Sequence, residues 1–178
     1  MRRRSFDNLT NRRSCGFTLV EVLAVVVILG LAAVIAVPLI SDSGAVQIAS
    51  AGRQIVSTLL FVQTAAITHQ QRYRIVFDTA TESYSVIDEA GNPVTDNILD
   101  NTTLQVDFPS TANFSKVDID TVDFDGTDRV WFDRLGAPYS GDIGAMTPMT
   151  SGSIVLSSGQ HAVTVSVEPV TGRITLTE

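Results

Sequence analysis

Nineteen consecutive uncharged residues, Val22 to Ile40, constrain this chain more than anything else in it. The run matches the roughly 20 residues that an α-helix needs to cross a hydrocarbon core about 30 Å thick. It exceeds the apolar core of an ordinary secretory signal, typically about 7–15 residues, although Ala49-Ser50-Ala51 offers a small-residue cleavage site of that kind. Immediately before the run stands a single carboxylate, Glu21, which follows Phe17-Thr18-Leu19-Val20. An ionised carboxylate in a bilayer costs on the order of a few kcal/mol on insertion scales. A plain single-pass anchor explains the greasy run and leaves Glu21 unexplained.

Charge is divided sharply along the chain. Arg2, Arg3, Arg4, Arg12 and Arg13 against Asp7 give residues 1–16 a balance of +4, which leaves −11 of the formal −7 for everything after Gly16. The positive-inside rule keeps such a leader cytoplasmic and puts the acidic body across the membrane. That body disfavours nucleic acid, since affinity for phosphate backbones rests on Lys and Arg, and it disfavours docking on anionic lipid. Cys15 is alone, so it forms no intrachain disulfide and belongs to no zinc-type spacing.

The order of features is specific: a basic leader, then Gly16-Phe17-Thr18-Leu19-Val20-Glu21, then the apolar run. It resembles the processing site of type IV pilin-like proteins. The resemblance implies a membrane peptidase that cuts after the glycine and methylates the new N-terminus. Gly16 would be the last leader residue, Phe17 the first mature residue and Glu21 the fifth. Pro38 falls at mature position 22, where many pilins carry a helix-kinking proline. The implied partners are other pilin-like or pseudopilin subunits, the prepilin peptidase/N-methylase, an inner-membrane assembly platform and membrane lipid; no cofactor is implied. Cleavage would give Phe17 a cationic amine, and Glu21 lies four residues along the same helical face. That carboxylate has two candidate partners, the amine of its own chain or that of a neighbouring subunit; pairing offsets the cost of a charge in hydrocarbon.

Beyond Pro38, Ser41-Asp42-Ser43-Gly44 reads as a soft point in one helix running from Phe17 to about Gln71. Ile48, Ile55, Leu59, Val62 and Ala66 form one apolar stripe at helical spacing, widened by Val56, Leu60 and Ile67. Gln47, Ser50, Gln54, Ser57 and Thr64 mark the opposite face. From Arg72 the period changes to two. Strands are expected at Tyr73–Asp78, Ser83–Asp88, Leu104–Phe108, Val130–Leu135, Ser153–Ser157, Ala162–Val167 and Arg173–Thr177. Thr79–Glu82, Ser158-Gly159-Gln160 and Pro169-Val170-Thr171-Gly172 read as turns. The expected fold class is α+β: a long N-terminal helix, half in the membrane and half amphipathic, packed on an antiparallel β-sheet domain. The expected segments are a cleaved leader at 1–16, a transmembrane half at 17–40, an amphipathic half at 41–71 and a β-rich soluble domain at 72–178.

Asp118, Asp120, Asp123, Asp125 and Asp128 are weak candidates for a calcium site, because hard cations take several oxygens. Asp123-Phe124-Asp125-Gly126 fails the EF-hand pattern, and Val117-Asp118-Ile119-Asp120 alternates as a strand with one solvated acidic face. The alternation slips at Thr121-Val122, which implies a bulge. Catalysis finds no support. His69 and His161 lie in no H-E-x-x-H pattern, Pro138-Tyr139-Ser140-Gly141 is not a nucleophile elbow, and no phosphate-binding glycine loop occurs.

Within the pilin-like group the soluble part resembles the GspH/FimT type. The similarity rests on Ala66-Ile67, Arg74–Asp78, Phe132 with Gly136, Ile154-Val155-Leu156, Val163–Val167 and Thr171-Gly172-Arg173-Ile174. Members often carry Arg and Glu where this chain has Gln63 and Ala65, and the DNA-binding branch often carries a second arginine where this chain has Thr175. The resemblance implies a minor pseudopilin of a type II secretion pseudopilus, held in the inner membrane with its soluble domain in the periplasm and then built into the filament. The next reading is a minor type IV pilin serving adhesion, motility or DNA uptake. A membrane-anchored acidic binding domain is the third.

Overall fold

The computed structural model describes residues 16–41, 43–96 and 102–178; all of the expected leader but Gly16, Cys15 included, and the soft-point residue Asp42 lie outside them. The chain divides into two compact units at the boundary between Ser41 and Asp42. Helix is described over Leu19–Ser41 (α1) and over Ser43–His69 (α2).

The first unit is α1. Its 23 residues rise roughly 35 Å at about 1.5 Å per residue, enough for a hydrocarbon core. Val and Ile are middling helix formers in water, but in lipid a helix is what satisfies every backbone group within one segment. All residues from Gly16 to Ala32 are exposed, with Leu19, Val22, Leu23 and Val26 among the large apolar side chains. Pro38 lies within the bounds of α1.

In the second unit α2 packs against strands of two sheets. Ile48, Ile55, Leu59, Val62 and Ala66 are buried, as their spacing predicts, and Ala51 and Gly52 join them. By length and composition α2 could also cross a membrane, but this buried stripe belongs to the core. Leu60 and Ile67 do not widen it: they are 46% and 45% exposed. At about 100° per residue they fall past the edge of a stripe centred on Leu59 and Val62. The helix ends at Gln70, whose backbone turns left-handed (φ 55). Its side-chain amide donates to the carbonyls of Ile67 (2.7 Å) and Arg134 (3.3 Å).

The larger sheet has the order β5-β2-β1-β7-β8-β9, built from β1 (Tyr73–Asp78), β2 (Ser83–Asp88), β5 (Gln105–Asp107), β7 (Arg129–Phe132), β8 (Pro138–Ser140) and β9 (Thr147–Pro148). The second has the order β12-β11-β10-β6, from β6 (Asp118–Phe124), β10 (Gly152–Ser158), β11 (His161–Val167) and β12 (Ile174–Thr177). β3 (Thr95–Asp96) and β4 (Thr102–Thr103) form a small pair of their own. The named pairings are antiparallel. In β1, Tyr73, Ile75 and Phe77 face the core while Arg74 and Val76 are half-buried, the alternation of a sheet with one face inward. One continuous core results, with Phe77, Tyr84, Phe108, Phe124 and Phe132 under α2 and the facing strands.

The bulge expected near Thr121-Val122 occurs one position earlier. Val155 pairs with Thr121 and Leu156 with Ile119, so Asp120 is the extra residue. β6 is an edge strand, and the bulge with exposed Asp118, Asp120 and Asp123 protects its unpaired backbone from other chains. β7 stops at Phe132, short of the expected Leu135, because Asp133 begins a tight turn.

Candidate functional site

The segment Gly16–Glu21 is the approach to α1. Gly16, Phe17 and Thr18 have no regular structure, and Phe17 is 80% exposed. An added Cβ at Gly16 would meet nothing within 4 Å, so the fold imposes no demand for glycine there. Thr18 caps the helix: its hydroxyl accepts from the Glu21 amide (3.2 Å), and its carbonyl accepts from the amides of Glu21 (3.0 Å) and Val22 (3.2 Å). Thr18 and Glu21 therefore occupy the first and last positions of a T-x-x-E capping pattern. The first-turn amides and the helix dipole make this end positive. Glu21, in the first turn, is a negative charge at that positive end. Helix start, the expected cleavage point and the carboxylate thus fall within six residues.

The structure gives the acidic cluster separate employments. Asp120 accepts from the Ser157 hydroxyl (2.8 Å), Asp123 from the Gly126 amide (2.7 Å), and Asp128 pairs with Arg129 (2.7 Å). Asp125 ties its turn to distant loops. It accepts from the Ser140 hydroxyl (3.0 Å), the Thr150 amide (2.8 Å) and hydroxyl, and the Ser151 amide (3.0 Å) and hydroxyl (3.2 Å). Among the described residues no group of three or more His, Cys, Asp or Glu side chains is placed to hold a metal ion.

Desolvation pushes the Asp125 carboxyl up, but the combined hydrogen bonds from Thr150, Ser140 and Ser151 outweigh it and bring the pKa down to about 2. A carboxyl depressed in the folded state contributes stability above its ordinary pKa of 3.8, and that contribution is lost as pH falls toward about 2. Thermal unfolding between pH 6 and pH 2 should therefore show wild type losing its advantage over Asp125→Asn below about pH 4. Asp78 and Glu168 are also depressed, so the difference between the two chains is the quantity to read. A constant difference across that range would remove Asp125 as the cause.

A third cluster joins α2 to two turns. The Gln63 side-chain amide donates to the carbonyls of Gly136 (2.8 Å), Thr171 (3.3 Å) and Gly172 (3.3 Å). Gly172 has φ +63, and a Cβ there would lie 2.5 Å from Gln63 Nε2 and 2.9 Å from the Gly136 carbonyl oxygen. In the other turn Asp133 accepts from the amides of Leu135 (2.9 Å) and Ala137 (2.8 Å). The sequence shows Gln63 only as a departure from an arginine often found in GspH/FimT-type chains; the structure gives its amide three carbonyl acceptors on two turns.

A helical N-terminal region, antiparallel sheets packed on α2 and a capped Gly-Phe-Thr-Leu-Val-Glu segment together define a pilin-like protein. Residues 11–37 match the prokaryotic N-terminal methylation motif, and residues 51–171 match the family described as type II transport protein GspH. The chain belongs to the type II transport protein GspH family. Its fold is similar to that of the minor pseudopilin EpsH from the type II secretion system of Vibrio cholerae. One EpsH structure has TM-score 0.52 at 15% identity, covering 74% of this chain and 96% of that one. A second has TM-score 0.52 at 13% identity, with coverage of 73% and 92%. The type IV minor pilin FimU of Pseudomonas aeruginosa (strain PAO1) gives TM-score 0.47 at 14% identity, with coverage of 74% and 88%. No curated protein matches the chain.

Proposed function

We propose that this chain is a minor pseudopilin, a structural subunit of a type II secretion pseudopilus that assists protein export across the outer membrane. One observation carries the reading: a methylation motif at residues 11–37 and a GspH region at 51–171 occur in that order in one chain. The leader stays cytoplasmic, α1 holds the subunit in the inner membrane, and the soluble unit stands in the periplasm until the subunit is drawn into the filament. A prepilin peptidase cuts after Gly16 and methylates Phe17. Pro38 removes one backbone hydrogen bond from α1 and gives the helix a place to bend. The partners are other pilin-like subunits and the membrane platform that assembles them; the role is structural rather than catalytic.

Glu21 sets the register. Within a bundle of apolar helices, the cheapest place for a subunit's carboxylate is beside an amine, its own or a neighbour's. N-terminal mass measurement of the membrane-extracted chain should find a mature protein beginning at N-methylated Phe17. Glu21→Ala should mature identically, yet its incorporation into filaments should fall about tenfold or more, since it leaves the amine unpaired in hydrocarbon. A mature chain starting elsewhere would make this an ordinary anchored domain. Normal assembly of Glu21→Ala would sink the register argument alone.

A further inference from the structure

We propose that the open edge of β12 takes up an extended segment of a different pilin-like subunit, which adds to the second sheet as a fifth strand. The proposal rests on the filament reading above and names a contact within it.

The two larger sheets have four edges, and three of them carry a device against strand addition. β6 has its bulge and its exposed aspartates. β9 is two residues long and contains Pro148. β5 is three residues long, ends in Asp107 and is followed by Phe108-Pro109. β12 reads Ile174-Thr175-Leu176-Thr177, with no charge, no proline and no shift of register against β11.

The pairing of β12 shows where its backbone groups point. In an antiparallel ladder, bonded and non-bonded residue pairs alternate. The Glu168 amide donates to the Arg173 carbonyl (2.8 Å), and these two residues continue the register that pairs Val167 with Ile174 and Ser166 with Thr175. Arg173, Thr175 and Thr177 therefore turn their backbone groups toward β11, while Ile174 and Leu176 turn theirs outward. Among the described residues, nothing bonds to the outward amide or carbonyl of either. Two donors and two acceptors along an extended edge are matched by another extended main chain. A helix keeps its own groups bonded internally, and lipid tails offer none. The edge is also held in place beforehand. α2 packs on β10, β11 and β12, and a Cβ at Gly52 would lie 2.8 Å from Leu176 Cδ1. A preformed edge spares a partner part of the ordering cost of binding.

The direction of α2 rules out a second copy as the occupant. A closed pairing of β12 with the same strand of another copy is antiparallel, about a two-fold axis normal to the sheet. That axis reverses every direction within the sheet plane, including that of α2, which lies along the sheet. α2 has 27 residues, a length of roughly 40 Å, and α1 ends at Ser41, two residues before α2 begins. The two anchors would therefore leave such a dimer at opposite ends, where one membrane cannot hold both. A neighbour oriented alike, offering a different strand, meets no such conflict.

The test uses the full-length chain in cells that assemble the filament. Ile174→Pro removes an outward amide, whereas Ile174→Ala trims the same side chain and keeps that amide. Proline is tolerated where an edge amide faces outward, so both variants should stay folded and melt alike. Only Ile174→Pro should be incorporated less, by about tenfold. Equal incorporation of the two variants overturns the proposal. A second arm leaves the edge intact: p-benzoylphenylalanine at position 177, where Thr177 is exposed. Light should yield an adduct in the filament fraction to a soluble-domain peptide of a different pilin-like subunit. An adduct to a second copy or to an exported protein overturns the proposal, as does no adduct from incorporated chain. If wild type itself is unprocessed or missing from filaments, the filament reading fails first. If wild type is incorporated and Ile174→Pro follows it, only the edge contact fails.

Discussion

A Gly16→Val chain is expected to fold and insert as wild type does, and to accumulate with its leader still attached. The fold gives no reason for glycine at this position: Gly16 precedes the Thr18 cap, is exposed, and would place a Cβ in open space. Under the proposed processing, any effect of bulk arises at the peptidase that cuts after Gly16. A branched side chain beside the scissile bond should cost about 3 kcal/mol of transition-state binding, roughly two orders of magnitude in cleavage rate. Intact-mass measurement of the membrane fraction reads the result directly, because the retained residues 1–16 change both mass and charge. A second consequence follows from the electrostatics. Without cleavage there is no amine at Phe17, so Glu21 enters the helix bundle unpaired and assembly fails as well. Melting of the soluble unit should not move. A chain with Gly16→Val that matures at the normal rate would place the cut elsewhere.

How far the fold was legible followed how local the determining physics is. The apolar run and the Ile48-to-Ala66 stripe depend on neighbours within a few residues, and each is found where its spacing places it. The alternating strands β1, β2, β10 and β11 were legible for the same reason. Leu60 and Ile67 misled because helical periodicity gives a direction on the helix without saying how wide the covering sheet is. β8 and β9 escaped because Pro138-Tyr139-Ser140 and Thr147-Pro148 are too short, and too proline-rich, to show a period. Asp125 looked like one member of an acidic run, but its partners lie as far as 26 residues away. Gln63 meets Gly172 across a separation of 109. No pattern along the chain announces a contact of that range; it exists only after the sheets have formed.

Phe132→Ala and Leu135→Ala, two truncations only three residues apart, should differ sharply in their cost to stability. Phe132 is fully buried on β7, paired with Tyr73 on one side and Pro138 on the other, and its ring edge is 3.4 Å from where a Cβ at Gly172 would sit. Truncation leaves a hole beneath the junction of Gln63 and the two turns, and the β-ladder on both sides keeps neighbours from closing it. The expected loss is about 3–5 kcal/mol, a large part of the 5–15 kcal/mol that typically holds a domain together. Leu135 loses a comparable apolar side chain from solvent, where a change is normally within about 0.5 kcal/mol. Urea unfolding of the full-length chain in detergent can be followed through Trp131, the one tryptophan in the sequence and the immediate neighbour of Phe132. The midpoint should drop sharply for Phe132→Ala and stay in place for Leu135→Ala. In filaments Phe132→Ala should be depleted, because little of it is folded. Equal midpoints for the two variants would mean that the core does not bear on Phe132 as its burial indicates.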